Sequence, residues 1–127
     1  MKLLLDTSVL IDVLRQGNQR RRFVADLVRA GHTLSTSTLN VAELYAGMRA
    51  GEEAGAEELL AGLGLYELGG SGARLAGKLK NIWSRKGRTL TLADTIVAAV
   101  AIEQGCQLLT DNRKDFPMQE VQLYPLP

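Results

Sequence analysis

The stretch Lys2-Leu3-Leu4-Leu5-Asp6-Thr7-Ser8 decides how the rest of the chain is read. Four apolar or aliphatic-stemmed positions follow one another with no helical polar face, so the segment reads as a short strand buried on both sides, as in the middle of a parallel sheet. It ends in an acid and two hydroxyls. Ser8 is a natural N-cap for the apolar run Val9-Leu10-Ile11-Asp12-Val13-Leu14, which continues as a helix. Ligands of open α/β sheets bind in the crevice at the carboxyl ends of the strands, and Asp6 falls there. As a bare turn residue, Asp6 would be no more than an anion favoured near a helix N-terminus.

Outward from that strand, the chain alternates. Arg15-Gln16-Gly17-Asn18 carries helix-stop and turn chemistry. Residues 19–30 have Phe23, Val24, Leu27 and Val28 at helical spacing, with Arg20, Arg21, Arg22 and Arg29 read as a solvated face. Residues 33–36 form a short second strand. A helix over 39–48 follows, in which Asn40 and Glu43 stand at capping-box spacing, and another runs from Glu52-Glu53 through Leu60. Residues 63–68 read as a third strand between glycines. Ser71 is placed as the cap of a long helix to about Lys86, with Leu75, Leu79, Ile82 and Trp83 inward. After the basic loop Arg85-Lys86-Gly87-Arg88, Thr91 and Asp94 again have capping-box spacing. The helix behind them, 96–102, is apolar on every face and therefore buried. Residues 107–110 are a strand, 111–116 a loop at its carboxyl end, and 121–124 a last, edge-like strand. Strand and helix in alternation imply an α/β fold with a mainly parallel sheet of four or five strands covered on both faces.

Composition narrows the chemistry. The 127 residues fit one domain, 1–127, with 46% hydrophobic content. With Lys+Arg 15 and Asp+Glu 14 the net charge is +1, so any basic footprint is local. One cysteine, Cys106, excludes an internal disulfide and a cysteine-built metal site, and one histidine, His32, excludes a two-histidine acid/base mechanism and a His-rich zinc site. His32 reads as a surface residue and Cys106 as core. No signal-peptide pattern precedes the first strand and no apolar run approaches a transmembrane length, so a cytoplasmic, membrane-free protein is expected.

Four acid-bearing places fall at equivalent positions: Asp6 at a strand end, Glu43 in the first turn of a helix after a strand, Asp94 in the first turn of the buried helix, and Asp115, with Asn112, just past another strand end. Together they would put three or four carboxylates at one end of one sheet. Like charges about 4 Å apart repel by roughly 4 kcal/mol at an effective dielectric of 20. A hard divalent cation removes that cost, and oxygen ligands without His or Cys point to Mg²⁺ or Mn²⁺.

The segments Leu4-Leu5-Asp6-Thr7-Ser8, Asn40-Val41-Ala42-Glu43-Leu44, Leu92-Ala93-Asp94-Thr95-Ile96-Val97-Ala98-Ala99 and Leu109-Thr110-Asp111-Asn112-Arg113-Lys114-Asp115-Phe116 occur in an order and spacing that resembles the PIN-domain ribonucleases, most closely the VapC-type toxins of toxin–antitoxin pairs. The resemblance spans essentially the whole chain. It implies a three-layer αβα sandwich and hydrolysis of RNA phosphodiester bonds by metal-activated water, blocking translation. It implies that Asp6, Glu43 and Asp94 bind the metal, with Thr7 and Ser8 orienting Asp6 or a water. The fourth polar position is left among Asp115, Asn112 and Asp111, with Asp115 ranked first and Asn112 second. Arg85, Lys86, Arg88, Arg113 and Lys114 become phosphate contacts, and Trp83 a core residue or a base-stacking one. The implied partners are an adjacent-encoded antitoxin clasping the helices at 8–14 and 39–60, an RNA substrate with tRNA and rRNA in view, and a second copy in a homodimer. Three other readings compete. A receiver-type aspartyl-phosphate enzyme wants a second Asp beside the first, which Asp6-Thr7-Ser8 lacks. A flap-type DNA nuclease wants more acids and a larger chain. A non-catalytic PIN-like RNA-binding module, or a non-toxin RNA-processing nuclease, shares the motifs.

Overall fold

A computed structural model describes residues 1–16 and 18–127, the side chains of Gln16 and Asn18 excepted. The expected helix stop at Gly17 lies outside the described residues. The elements are β1 (Lys2–Leu5), α1 (Thr7–Gln16), α2 (Asn18–Arg29), β2 (Thr33–Ser37), α3 (Thr38–Ala46), α4 (Glu53–Ala61), β3 (Gly64–Tyr66), α5 (Gly70–Arg85), α6 (Leu92–Gln104), β4 (Gln107–Leu109) and a 3-10 turn at Arg113–Asp115. The sheet order is β3-β2-β1-β4, with every pairing parallel.

The leucine run explains the layering. Successive strand residues point to opposite faces. Leu4 accordingly joins Leu79, Val97, Val100 and Leu108 in one core, under α5 and α6. Leu3 and Leu5 join Val9, Leu10, Leu27, Leu44, Ala56 and Leu109 in the other, under α1, α2 and α4. All three leucines are fully buried. The two-sided burial foreseen for this stretch is thus the middle layer of an αβα sandwich. In α6, residues 97–101 are all buried, as the run without a polar face requires. Gly105 ends α6 at φ +64°, a left-handed position that glycine takes at no steric cost.

Several boundaries differ from expectation, for local physical reasons. Ser8 does not cap α1: the Asp6 carbonyl accepts from Val9 and Leu10, so Asp6 holds the cap position and Ser8 lies inside the helix. Asn40 does not cap α3. The box is Ser37 with Asn40, the serine hydroxyl accepting from the Asn40 N–H and the Asn40 side chain accepting from the Ser37 N–H. Glu43 therefore sits in the second turn. Ser71 is within α5, which starts after Gly69, and its hydroxyl donates to Glu103 at 2.6 Å. Ile82 faces outward, 46% exposed. His32 is half-buried, its ring edge-on to Tyr124. The strand expected at 121–124 shrinks to one bridge, Leu108 to Leu123, beside β4. The arginines of α2 are not all a solvated face. Arg21 donates to the Val13 and Leu14 carbonyls near the end of α1, and Arg20 pairs with Asp12 and Asp111.

Candidate active site

The site is built at the carboxyl ends of β1, β2 and β4. Asp6 is buried there, and its N–H donates to the Leu109 carbonyl, so the peptide is locked between β1 and β4. Its two carboxylate oxygens are each claimed by a different element. Asn40 Nδ2 donates to Oδ1 at 3.1 Å, and Thr110 Oγ1 donates to Oδ2 at 2.7 Å. Asn40 and Thr110 are both fully buried.

Asn40 is the hub. Its Oδ1 accepts from the Ser37 hydroxyl at 2.5 Å and the Ser37 N–H at 3.3 Å. Its Nδ2 donates to Asp6 and to Thr7 Oγ1, the latter at 2.9 Å. Thr7 passes the bond on, its hydroxyl donating to Glu43 Oε1 at 2.7 Å. One amide thus holds two of the sequence-identified acids in register. β2 can deliver such a polar cluster because its hydroxyls are spent on the neighbouring strand: Ser35 donates to the Leu3 carbonyl and Thr36 to that of Leu5.

Asp94 enters from the first turn of α6, where Thr91 Oγ1 accepts its N–H at 3.1 Å. The cap and the carboxylate centre therefore coexist. Burial pushes the Asp94 carboxyl above its ordinary 3.8. The charges of Asp115, Asp6 and Glu43 push it the same way against the Thr91 hydrogen bond. Burial also raises Asp6, with Glu43 adding to it, against hydrogen bonds from Thr110, the Thr7 N–H and Asn40. The four acids thus share one electrostatic neighbourhood. They perturb one another without closing on a point: among the described residues no three His, Cys, Asp or Glu side chains converge as a ready ligand set. All the donors present are carboxylate, hydroxyl or amide oxygens, a set that fits a hard divalent cation and not a soft one.

The loop that carries Asp115 is pinned at both ends. Asp111 N–H donates to Ser8 Oγ and Asn112 N–H to Thr110 Oγ1. Asp111 itself is held at 2.9 Å by Arg20, which also holds Asp12 at 2.9 Å. That pairing commits Asp111 to the loop's anchor. Farther on, Arg113 donates to the Tyr124 carbonyl, Arg88 to the Lys114 carbonyl, and Phe116 is buried. Arg85, Lys86, Arg88, Arg113 and Lys114 are all exposed, and Arg88 joins the basic loop to the Asp115 loop. Replacing Arg20 by Met should free the start of this loop. We expect hydrogen exchange to rise at residues 111–115 and to stay unchanged in β1; equal protection in both proteins would leave Arg20 a surface cation.

The model for the family described as PIN domain matches residues 3–120. This chain belongs to the PIN domain family. Within that PIN family it groups with ribonucleases of the VapC type. Ribonuclease VapC10 of Mycobacterium tuberculosis is 35% identical over 123 residues, covering 97% of this chain and 91% of that protein. Ribonuclease VapC19 of the same organism is 31% identical over 115 residues, covering 91% and 92%. The fold matches that in the crystal structure of VapBC2 from Rickettsia felis bound to a promoter DNA fragment, with TM-score 0.88, 20% identity and 98% of each chain covered. The αβα sandwich is the PIN architecture, and Asp6, Asn40, Glu43, Asp94, Thr110 and Asp115 lie at one edge of its sheet.

Sequence reasoning missed Asn40, Thr110 and Ser37 as members of this centre and Arg20 as its outer brace. The signals were present as Ser37-x-x-Asn40, a capping box with Asn at its third position, and as a threonine closing a buried strand. Neither separates a site residue from an ordinary cap or strand end without the fold.

Proposed function

We propose that this chain is the endoribonuclease toxin of a toxin–antitoxin pair, cutting RNA with a divalent cation held by Asp6, Glu43 and Asp94 and thereby blocking translation. The observation that carries the reading is the carboxylate centre itself: Asp6 at the end of β1, Glu43 on α3, Asp94 at the start of α6 and Asp115 past β4, in one electrostatic neighbourhood. Mg²⁺ or Mn²⁺ bound there supplies charge neutralisation at the phosphodiester and lowers the pKa of an attacking water. Asn40 and Thr110 keep Asp6 oriented, and the Thr7 hydroxyl keeps Glu43 oriented. Asp115 adds a supporting carboxylate beside Asp94, while Ser8 and Asn112 brace the loop that brings it. Arg85, Lys86, Arg88 and Lys114 give the RNA backbone a basic approach to an acidic centre; Arg113 combines that role with its bond to Tyr124.

One PIN domain over residues 1–127 carries this activity, in the cytoplasm. Among the described residues no helix is long and apolar enough to cross a membrane. The antitoxin fits the flank of α1: a cleft of about 270 Å³ there is lined by Val13, Leu14, Gly55 and Leu59, with Arg21 and Glu58 at its edge. The VapC names of the relatives and the VapBC neighbour support such a partner. A homodimer of the chain completes the assembly.

Purified protein freed of any partner should cut RNA in Mg²⁺ or Mn²⁺, stop in EDTA and resume when Mn²⁺ is restored. Cleavage undiminished in EDTA would remove the metal from the mechanism. No cleavage of tRNA, rRNA or synthetic RNA in either metal would remove the ribonuclease reading.

A further inference from the structure

Trp83 lines a cleft that the carboxylate centre does not use. Its volume is about 280 Å³. On one wall Leu79, Ile82 and Trp83 form an apolar stripe at helical spacing along α5, with Lys86 one turn on. The facing wall comes from the segment after the Asp115 loop: Pro117, then Gln119 and Glu120 at the rim. The indole is half-buried, and the Lys86 ammonium sits 4.5 Å from its ring centroid. A ring face open to a lysine ammonium is one that a flat group can reach.

We infer that this cleft is a nucleobase subsite, in which an unpaired base of the RNA stacks on Trp83 while its phosphate takes over Lys86. The inference rests on the ribonuclease reading above. Three features select a nucleotide over other occupants. An apolar, aromatic slot with a few polar groups at its mouth matches a base's flat faces and hydrogen-bonding edge. Gln119 offers both donor and acceptor to such an edge, and Glu120 an acceptor. The cation that covers the ring is exposed, and it belongs to the basic loop Arg85-Lys86-Gly87-Arg88. Displaced by a base, it lies beside the phosphate that base carries. Stacking of a base on an aromatic is worth more than an exposed ammonium–indole contact, so the exchange runs toward the base.

Position makes the subsite useful. Pro117 lies two residues past Asp115, and Arg88, two past Lys86, bonds the Lys114 carbonyl. The cleft therefore opens beside the loops that frame the acids, where a nucleotide flanking the scissile bond would lie. A base gripped there selects which bond is cut, since sequence in single-stranded RNA is read on splayed bases.

Trp83 is the chain's one tryptophan, so its fluorescence reports this cleft alone. In EDTA, single-stranded ribo-oligonucleotides should quench it saturably, while abasic oligonucleotides of equal length and charge should not. In Mn²⁺, Trp83→Leu should raise KM for single-stranded RNA about tenfold with kcat little changed, and should alter the preferred cleavage positions. Ile82→Glu puts a charge into the cleft at an exposed site, so it tests the same slot without risk to the core; it should reproduce the KM effect and abolish the quenching. The inference fails if oligonucleotides bind, by anisotropy, without quenching Trp83, or if Ile82→Glu leaves KM and cleavage positions unchanged. It also fails if the fluorescence follows protein concentration instead of RNA, which would make the cleft a contact between copies. If the protein binds oligonucleotides with quenching yet cuts no RNA, the ribonuclease reading falls and the base site stands.

Discussion

Asp94→Asn should abolish RNA cleavage and at the same time make the metal-free protein more stable, by about 1 kcal/mol or roughly 4 °C in melting temperature. Two opposing terms set the sign. Asp94 is an anion in the first turn of α6, a placement worth about 0.3–1 kcal/mol that the amide forfeits. The cap itself survives, because Thr91 Oγ1 accepts the backbone N–H of residue 94 whatever the side chain. Against this, the carboxylate is partly desolvated and faces Asp115, Asp6 and Glu43. A like charge about 10 Å away costs roughly 1.7 kcal/mol at an effective dielectric of about 20, and three such charges exceed the dipole term even after solvent screening removes much of each. The amide removes that repulsion. The pH dependence follows from the raised pKa. A carboxyl that binds its proton more tightly folded than unfolded contributes full stability below the unfolded value, near 3.8, and loses it as pH rises through the folded value. The variant's advantage in EDTA should therefore be full at neutral pH and close as pH falls toward 3.8. Added Mn²⁺ should reverse the order, since a cation bound only by the folded state stabilises by mass action and the variant has lost a ligand. Thermal melting of both proteins in EDTA and in Mn²⁺ measures this. A variant that melts below wild type in EDTA and gains equally from Mn²⁺ would leave Asp94 a helix-start anion only.

What could be read along the chain and what could not divide along physical lines. The leucine run of β1 and the all-apolar stretch of α6 announce their environment, because burial on every side leaves no polar face to write. Asp6, Glu43, Asp94 and Asp115 stand out in the sequence because acids at strand ends and helix starts recur in a pattern, and the structure brings their charges into one neighbourhood. The caps fall two or three residues from where the sequence places them because runs such as Ser35-Thr36-Ser37-Thr38 offer several equivalent hydroxyls, and only strand register decides which ones are spent on β1 carbonyls. Arg20 was read as solvated for a similar reason: its partners Asp12 and Asp111 lie on α1 and beyond β4, a pairing set by tertiary packing. The edge strand at 121–124 has strand composition, yet it makes a single bridge. Strand propensity describes a half-buried surface and does not supply a partner.

Asn40→Asp should be the most damaging isosteric change in the molecule. The amide's orientation is fixed by its neighbours. Oδ1 accepts from the Ser37 N–H and hydroxyl, so Nδ2 must be the end that faces Asp6 Oδ1 and Thr7 Oγ1. A carboxylate in its place turns the Asp6 contact from a 3.1 Å hydrogen bond into two acceptors facing each other with no proton between them, at a residue with 0% exposure. A buried charge left without a partner costs about 3–5 kcal/mol, a large fraction of the stability of a domain this size. Asn40→Ala breaks the same bonds without adding charge. It leaves Asp6 Oδ1 and the Ser37 hydroxyl short of a partner, for about 1–3 kcal/mol. pH separates the two variants. The new acid at 40 has a folded-state pKa raised by burial and by Asp6, so its penalty is present at neutral pH and lifts as pH falls through that value, when a shared proton restores a donor between the two side chains. The alanine variant adds no acid, and its deficit should narrow only by the share that the Asn40 hydrogen bond to ionised Asp6 carries, as Asp6 takes up its proton. Urea unfolding of the three metal-free proteins at pH 7 and pH 5 reads the difference: the aspartate variant should recover toward wild type at the lower pH by more than the alanine variant does. An aspartate variant as stable as wild type at pH 7 would mean that Nδ2 does not face Asp6, and the hub would lose its place at the centre of the acid cluster.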